Sequence, residues 1–336
     1  MVIDSSFYMR LALEEAWKYQ GLTYPNPAVG CCVVGESGEI LAVEAHQKAG
    51  APHAEVNALQ QAYYKLTGES AILALESSSD IHTYLLENHN HIFAKITLYT
   101  TLEPCAHFGK TPSCASLMSA LGIQKVYVGS KDTHTIAENG NSILEKAGIS
   151  VANELLVESC NALLFPFQKS LEERFVFFKW AQRLNATTDE GTISSQSSRK
   201  NVHAMRDVCD LLVIGGETVR TDRPTLDARL VQGKAPDILI YSRQKEFDKT
   251  IPLFNVPNRK VTIEDDFSKL AMYKNIMIEG SAKMYELTSE IVDYYLVYIA
   301  PTLGGSNSFE ATKRNFEILN VAKEDKDIII WMKKRI

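Results

Sequence analysis

At 336 residues, with 45% hydrophobic and 23% charged side chains, the chain is long enough for two buried cores and too apolar to be a disordered segment. Its formal net charge of -6 excludes a broad basic surface for nucleic acid or membrane, so an anionic substrate would need locally placed Arg and Lys. With no basic-then-apolar leader, and no apolar run near the roughly 20 residues that cross a bilayer, the chain is expected to be a cytoplasmic protein whose six cysteines are thiols, ligands and core fillers.

Taken in order, residues 4–20 carry Tyr8, Leu11, Ala12, Ala16 and Tyr19 at helical spacing, ended by Gly21. Pro25-Asn-Pro27 leads into Val29 to Val34, which pairs across the turn Gly35 to Gly38 with a strand near Ile40 to Val43. Pro52 sets the approach to a helix from Ala54 to about Tyr64. Residues 65–95 read as a surface insertion with a short helix near Ile81 to Glu87, in which His82, His89 and His91 are expected to be solvated. Ile96 to Thr101 and Lys125 to Gly129 are expected strands, and Cys114 to Leu121 and Ser142 to Ala147 helices stopped by Gly122 and Gly148.

This alternation predicts an α/β sheet with helices on both faces. An acidic, helix-prone stretch, Asn153 to Leu164, runs into Pro166, so the expected division is a first domain over 1–152, a connecting segment over 153–172 and a second domain over 173–336. In the second, strands are expected at Phe175 to Ala181, Leu211 to Gly215, Asp237 to Tyr241, Ile276 to Glu279 and Val292 to Ala300, with helices at Lys200 to Cys209 and Ser281 to Glu290.

The chemistry-bearing pattern lies in the first half. Zinc holds a hydrolytic water when three protein ligands leave a tetrahedral position open. His53 at a helix start, Cys105 after Pro104 at a strand end, and Cys114 at the next helix start supply such a set. Glu55, two residues beyond His53, is not needed as a ligand and is free to carry protons, which is the division of labour of zinc deaminases. A structural zinc site would recruit a fourth protein ligand and leave Glu55 without a role. Cys31, Cys32, Cys160 and Cys209 are expected to be core thiols.

Eight residues separate Cys105 from Cys114, where nucleoside deaminases have two. The stretch Thr101-Leu-Glu-Pro-Cys-Ala-His-Phe-Gly-Lys-Thr-Pro-Ser-Cys114 closely resembles the deaminase half of the bifunctional riboflavin-biosynthesis family RibD. Pro25-Asn-Pro27, Val29-Gly30, His46 to Glu55, Asp132 and Asn139 to Ile149 continue the likeness. More loosely it extends through Lys179 to Ala186, Glu217-Thr-Val219, Asp222-Arg-Pro224, Leu226 to Arg229, Ile278-Glu-Gly280, Ile299-Ala-Pro301 and Leu303-Gly304.

The resemblance implies a cytidine-deaminase-like α/β/α sandwich followed by a dihydrofolate-reductase-like α/β domain. It implies hydrolytic deamination of 2,5-diamino-6-(5-phosphoribosylamino)pyrimidin-4-one, then NADPH-dependent reduction of the ribosyl group to ribityl, in a homodimer formed through the reductase domains. By the same resemblance Zn2+ sits on His53, Cys105 and Cys114 with Glu55 as the catalytic acid-base, and Asn26, His46, His107 and Lys110 hold the ring and phosphate. Ala181, Thr218, Asp222 and the run Ser281, Ala282, Lys283, Met284, Tyr285, Glu286 and Leu287 would bind NADPH, with Arg206, Leu226, Arg229 and Glu279 on the substrate. The chain departs from the family at Arg183-Leu-Asn-Ala-Thr187, where Asn185 replaces a carboxylate, and at Thr192, where the family has tryptophan. Two other readings are a base deaminase acting on nucleic acid and a deaminase whose second half is degenerate.

Overall fold

The computed structural model describes residues 4–106, 112–132 and 139–335. The chain divides into two compact units, Met1–Phe165 and Pro166–Ile336. No helix among the described residues is long and apolar enough to cross a membrane.

In the first unit, α1 (Ser5–Trp17), capped by the Asp4 carboxylate on the Phe7 N–H, precedes the antiparallel pair β1 (Gly30–Val34) and β2 (Ile40–Ala45). Then follow α2 (Ala54–Thr67), α3 (Ser78–Asn88), β3 (Thr97–Leu102), α4 (Cys114–Leu121), β4 (Lys125–Ser130), α5 (Gly140–Lys146) and the short β5 (Ser150–Ala152). The sheet order is β2-β1-β3-β4-β5, antiparallel between β1 and its neighbours and parallel from β3 to β5. Alternation along β1 splits the core: Cys31 and Val33 join the cluster built from α2, α3 and α4, while Gly30 faces α1. A Cβ on Gly30 would stand 1.9 Å from the Ala12 carbonyl oxygen, so only glycine lets α1 press this close to the sheet.

Residues 65–95 are not a surface insertion. Ile72, Ile81, Leu85 and Phe93 are fully buried in the same core as Leu59, Leu98 and Leu117, and α3 covers helices that would otherwise expose apolar faces. His82 is likewise buried, not solvated. Its apolar neighbours are dispersed among polar residues, which hid the inward face from sequence periodicity.

The helix α6 (Val157–Glu172) runs through Pro166, at which the two units divide. Its first half belongs to the first unit: Leu164 lies in that core and the Leu163 carbonyl accepts from the Gln20 amide at 2.6 Å.

The second unit contains β6 (Phe175–Arg183), α7 (Gln196–Val208), β7 (Leu211–Gly215), α8 (Gly216–Asp222), β8 (Asp237–Tyr241), β9 (Val261–Glu264), β10 (Asn275–Glu279), α9 (Ala282–Thr288), β11 (Tyr294–Ala300), β12 (Phe316–Glu324) and β13 (Asp327–Lys334). Its eight strands lie in the order β12-β13-β11-β6-β10-β7-β8-β9. All are parallel from β11 to β9, and β13 and β12 close one side antiparallel. Parallel strands buried on both faces read as near-continuous apolar runs, as β7 and β10 do. The terminal hairpin is partly exposed and its outer strand mixes polar and apolar residues, so that strand has no continuous apolar run.

Candidate metal centre and reductase cavity

Pro52 delivers His53 in extended conformation to the N-cap of α2, so its ring, rather than capping the helix, turns toward two cysteines. Cys105 arrives from the end of β3. Cys114 is the first residue of α4, whose N-cap Ser113 accepts from the Ser116 N–H at 3.1 Å and donates to the Cys105 carbonyl at 2.9 Å. The His53 Nδ1 is 3.6 Å from Cys105 Sγ and 3.4 Å from Cys114 Sγ. Bonds of about 2.3 Å to sulfur and about 2.05 Å to nitrogen at a tetrahedral angle place N and S about 3.6 Å apart, so the trio fits zinc. Among the described residues these three form the only group of His, Cys, Asp or Glu side chains spaced to hold a metal ion.

The electrostatics suit a cation. A hydrogen bond from the Cys114 thiol, with His53 beside it, holds the Cys105 pKa well below the usual thiol range, and Cys114 is pushed up by sharing that proton. The Cys114 N–H also points at Cys105 Sγ, at 3.4 Å. The packing behind Cys105 depends on Gly140, where a Cβ would come within 1.8 Å of the Pro104 carbonyl oxygen.

Glu55 lies in the first turn of α2 and is buried. Burial raises its carboxyl pKa against the opposing pull of His53, so the side chain can take up a proton that an exposed glutamate would refuse. His46 is fixed at both ring nitrogens: Nδ1 is 3.0 Å from the Pro52 carbonyl and Nε2 is 3.0 Å from the Asn26 amide. The carbonyl requires hydrogen on Nδ1, leaving Nε2 to accept from Asn26. The His46 ring meets the His53 ring edge-on at 5.6 Å, so the structure brings Asn26 and His46 to the metal trio. His107 and Lys110 lie outside the described residues. Sequence reasoning missed His82, whose Nε2 has no hydrogen-bond partner among the described residues; burial drives its pKa to about 4, with Cys105 and His53 near enough to act on it.

In the second unit Glu279 ends the parallel strand β10, Ser281 follows it at the N-cap of α9, and of the expected residues Ala181 and Arg206 line one cavity; strand ends are the usual place for ligands in such sheets. Register sets Glu279 of β10 beside Lys179 of β6. Glu279 takes Arg206 in a two-pronged pair at 2.8 and 3.0 Å and Lys179 at 3.6 Å. Burial opposes ionisation of Glu279, but Arg206 and Lys179 outweigh it and hold the carboxyl below its usual range. Lys179, Ala181, Thr192, His203 and Arg206 line a cavity of about 290 Å³. Lys179 was not singled out from sequence, because it sits within an apolar strand a hundred positions from its partner.

Arg229 is exposed and pairs with Asp227 at 2.6 Å, and the Asp227 carbonyl accepts from Arg206 at 3.4 Å. Leu226 is buried. Thr218 and Asp222 lie on α8, directly after β7. In the run from Ser281 to Leu287, Met284 and Tyr285 are core residues and Glu286 accepts from the Thr312 N–H, which leaves Ser281, Ala282 and Lys283 at the accessible start. The departures also have a structural setting. Asn185 donates its amide to the Gly304 carbonyl at 2.9 Å, a bond no carboxylate could make, and Asp189 accepts from the Ser306 and Asn307 N–H groups.

Comparison with known proteins adds to these geometries. Residues 3–130 match the cytidine and deoxycytidylate deaminase zinc-binding region, and residues 183–329 match the RibD C-terminal domain. The riboflavin biosynthesis protein RibD of Corynebacterium ammoniagenes is 30% identical over 88% of this chain and 86% of its own length. That of Actinobacillus pleuropneumoniae is 29% identical over 89% and 84%. A crystal structure of a diaminohydroxyphosphoribosylaminopyrimidine deaminase/5-amino-6-(5-phosphoribosylamino)uracil reductase from Thermotoga maritima superposes with a TM-score of 0.63 at 25% identity, covering 98% of both chains. RibD of Acinetobacter baumannii shares the fold, with a TM-score of 0.62 at 24% identity, covering 98% of this chain and 99% of its own. The expected pairing of a cytidine-deaminase-like unit with a dihydrofolate-reductase-like unit holds.

Proposed function

We propose, from the premise that this chain belongs to the RibD family of riboflavin biosynthesis, that it deaminates 2,5-diamino-6-(5-phosphoribosylamino)pyrimidin-4-one and then reduces the ribosyl group of the product with NADPH. The observation that carries the reading is the trio His53, Cys105 and Cys114 at zinc-ligand spacing beside the buried acid Glu55. Zinc on the trio would supply a water acidic enough to ionise near neutral pH. Glu55 would carry two protons in turn, the first from that water to the ring nitrogen and the second from the added hydroxyl group to the departing ammonia. Asn26 and His46, locked to each other, orient the pyrimidine, and His107 and Lys110 hold the ring and phosphate.

In residues 173–336 the nicotinamide carries the hydride chemistry, and the protein aligns the partners. Arg206, Leu226, Arg229 and Glu279 hold the substrate, with the arginines meeting its phosphate. Lys179, poised by Glu279 on the cavity wall, is the group able to hold a proton at the reduced centre. Ala181, Thr218, Asp222 and the start of the Ser281 to Leu287 segment bind NADPH. Residues 1–152 would be the deaminase domain, 153–172 the connector, and the compartment the cytoplasm.

A homodimer through the reductase domains is supported by the outermost strand β12, which exposes Ile318 and Val321. Sedimentation showing only a monomer at micromolar concentration would overturn it. The activity is tested by incubating the pure protein with the diaminopyrimidine phosphate and identifying products by mass. Deaminated pyrimidine alone is expected without NADPH and the ribityl compound with it. Unchanged substrate would remove the first assignment, and unreduced product under saturating NADPH the second.

A further inference from the structure

Between β9 and the loop that follows α8, one cation spends its donors in an unusual way. Arg259 donates from Nη1 to the Leu226 carbonyl at 2.7 Å, from Nη2 to the Thr225 carbonyl at 2.6 Å and the Leu253 carbonyl at 2.7 Å, and from Nε to Leu253 again at 3.2 Å. Among the described residues no carboxylate lies within ion-pair distance of it. Burial lowers its pKa to about 10, so it stays cationic at neutral pH and its hydrogen bonds are charge-assisted. The Leu253 N–H in turn donates to the Pro224 carbonyl at 3.0 Å, which ties residues 224–226 to the short turn Pro252–Asn255.

The held segment needs holding. Leu226 has φ +55°, a left-handed conformation that a bulky side chain rarely adopts and that persists only where its surroundings over-determine it. Immediately after it, Asp227 reaches the cavity wall: its carbonyl accepts from Arg206, and its carboxylate lies 3.9 Å from His203 and 2.6 Å from Arg229. Arg206 and His203 line the cavity. A relaxed Leu226 would therefore turn Asp227 out of its contacts with Arg206 and His203 and carry the paired Arg229 with it.

We infer that Arg259 is a positioning residue of the reductase site, clamping Leu226 in its left-handed conformation so that the Leu226 to Arg229 loop meets the substrate. This rests on the reading that Leu226 and Arg229 hold that substrate.

The test is steady-state reduction of the deaminated pyrimidine by the full chain, with Arg259→Met and Arg259→Lys made in the wild-type, Leu226→Ala and Leu226→Gly backgrounds. Arg259→Met is expected to raise KM for the pyrimidine roughly 10- to 100-fold through misplacement of the loop, with KM for NADPH and the deamination rate unchanged. Arg259→Lys, which keeps the charge and can reach some of the carbonyls, recovers part of the loss. Both variants remove the leucine side chain beyond Cβ, but only glycine, which also lacks Cβ, accepts φ +55° without a clamp. The Arg259→Met penalty should persist in Leu226→Ala and shrink in Leu226→Gly. Equal penalties in the two backgrounds overturn the clamp, as does an unchanged KM in Arg259→Met while Leu226→Ala and Arg229→Ala raise it. If Leu226→Ala, Leu226→Gly and Arg229→Ala all leave KM unaltered, the substrate assignment of the loop falls and the clamp's function with it.

Discussion

Glu55 and the trio it serves can be separated by substitution because the group spaced to hold a metal is His53, Cys105 and Cys114, without the Glu55 carboxylate. Glutamine keeps the volume and hydrogen-bonding shape of glutamate but cannot shuttle a proton at accessible pH. Glu55→Gln is therefore expected to slow deamination by about 10²- to 10⁴-fold, the usual worth of a positioned acid-base group, while zinc content by metal analysis stays at the wild-type level. Cys105→Ser and Cys114→Ser should do the reverse, losing metal first. Normal turnover in Glu55→Gln would remove the proton-carrying role, and full metal content in either serine variant would remove that ligand. The sequence made this part legible because His53, Glu55, Cys105 and Cys114 each fall at an element end whose signal is local: Pro52 before a helix, Pro104 after a strand, Ser113 capping a helix. His82 carried no such signal. Its burial comes from a helix whose inward face is visible only once it packs.

That helix, α3, is the element whose role the structure changes. Ile81 and Leu85 sit one helical turn apart and both are buried, with Ile72 and Phe93 flanking them. A dispensable surface insertion would tolerate truncation of such side chains. A core element should not, and Leu85→Ala is expected to cost about 2–5 kcal/mol in the first unit, the range for deleting a buried leucine side chain. Denaturant unfolding followed by loss of zinc would read this directly, and a change within experimental error would restore the insertion to the surface. Gly140 presents the opposite case at element scale. There the absence of a side chain lets α5 approach Pro104, and the resemblance at Asn139 to Ile149 had already marked the segment without giving that reason.

At the scale of the whole chain, sequence patterns revealed alternating strands and helices but not which strands become neighbours. Lys179 and Glu279 meet only because β10 inserts beside β6 in register, and the β12–β13 hairpin is illegible in the sequence because its exposed strand mixes polar and apolar residues. Each unit nonetheless has its own sheet and its own core, so each chemistry should survive loss of the other. A chain carrying Glu55→Gln retains the Lys179–Glu279–Arg206 cluster, and a chain carrying Glu279→Gln retains the metal trio. Neither alone should convert the diaminopyrimidine to the ribityl compound. Mixed in equal amounts with NADPH, they should, because the deaminated intermediate can leave one chain and enter the other. The rate should rise with total protein, with a lag that shortens as the Glu55→Gln partner is added in excess. A mixture that accumulates the intermediate, although the Glu55→Gln chain reduces that same compound when it is supplied directly, would show that the two steps work only when both sites on one chain are intact.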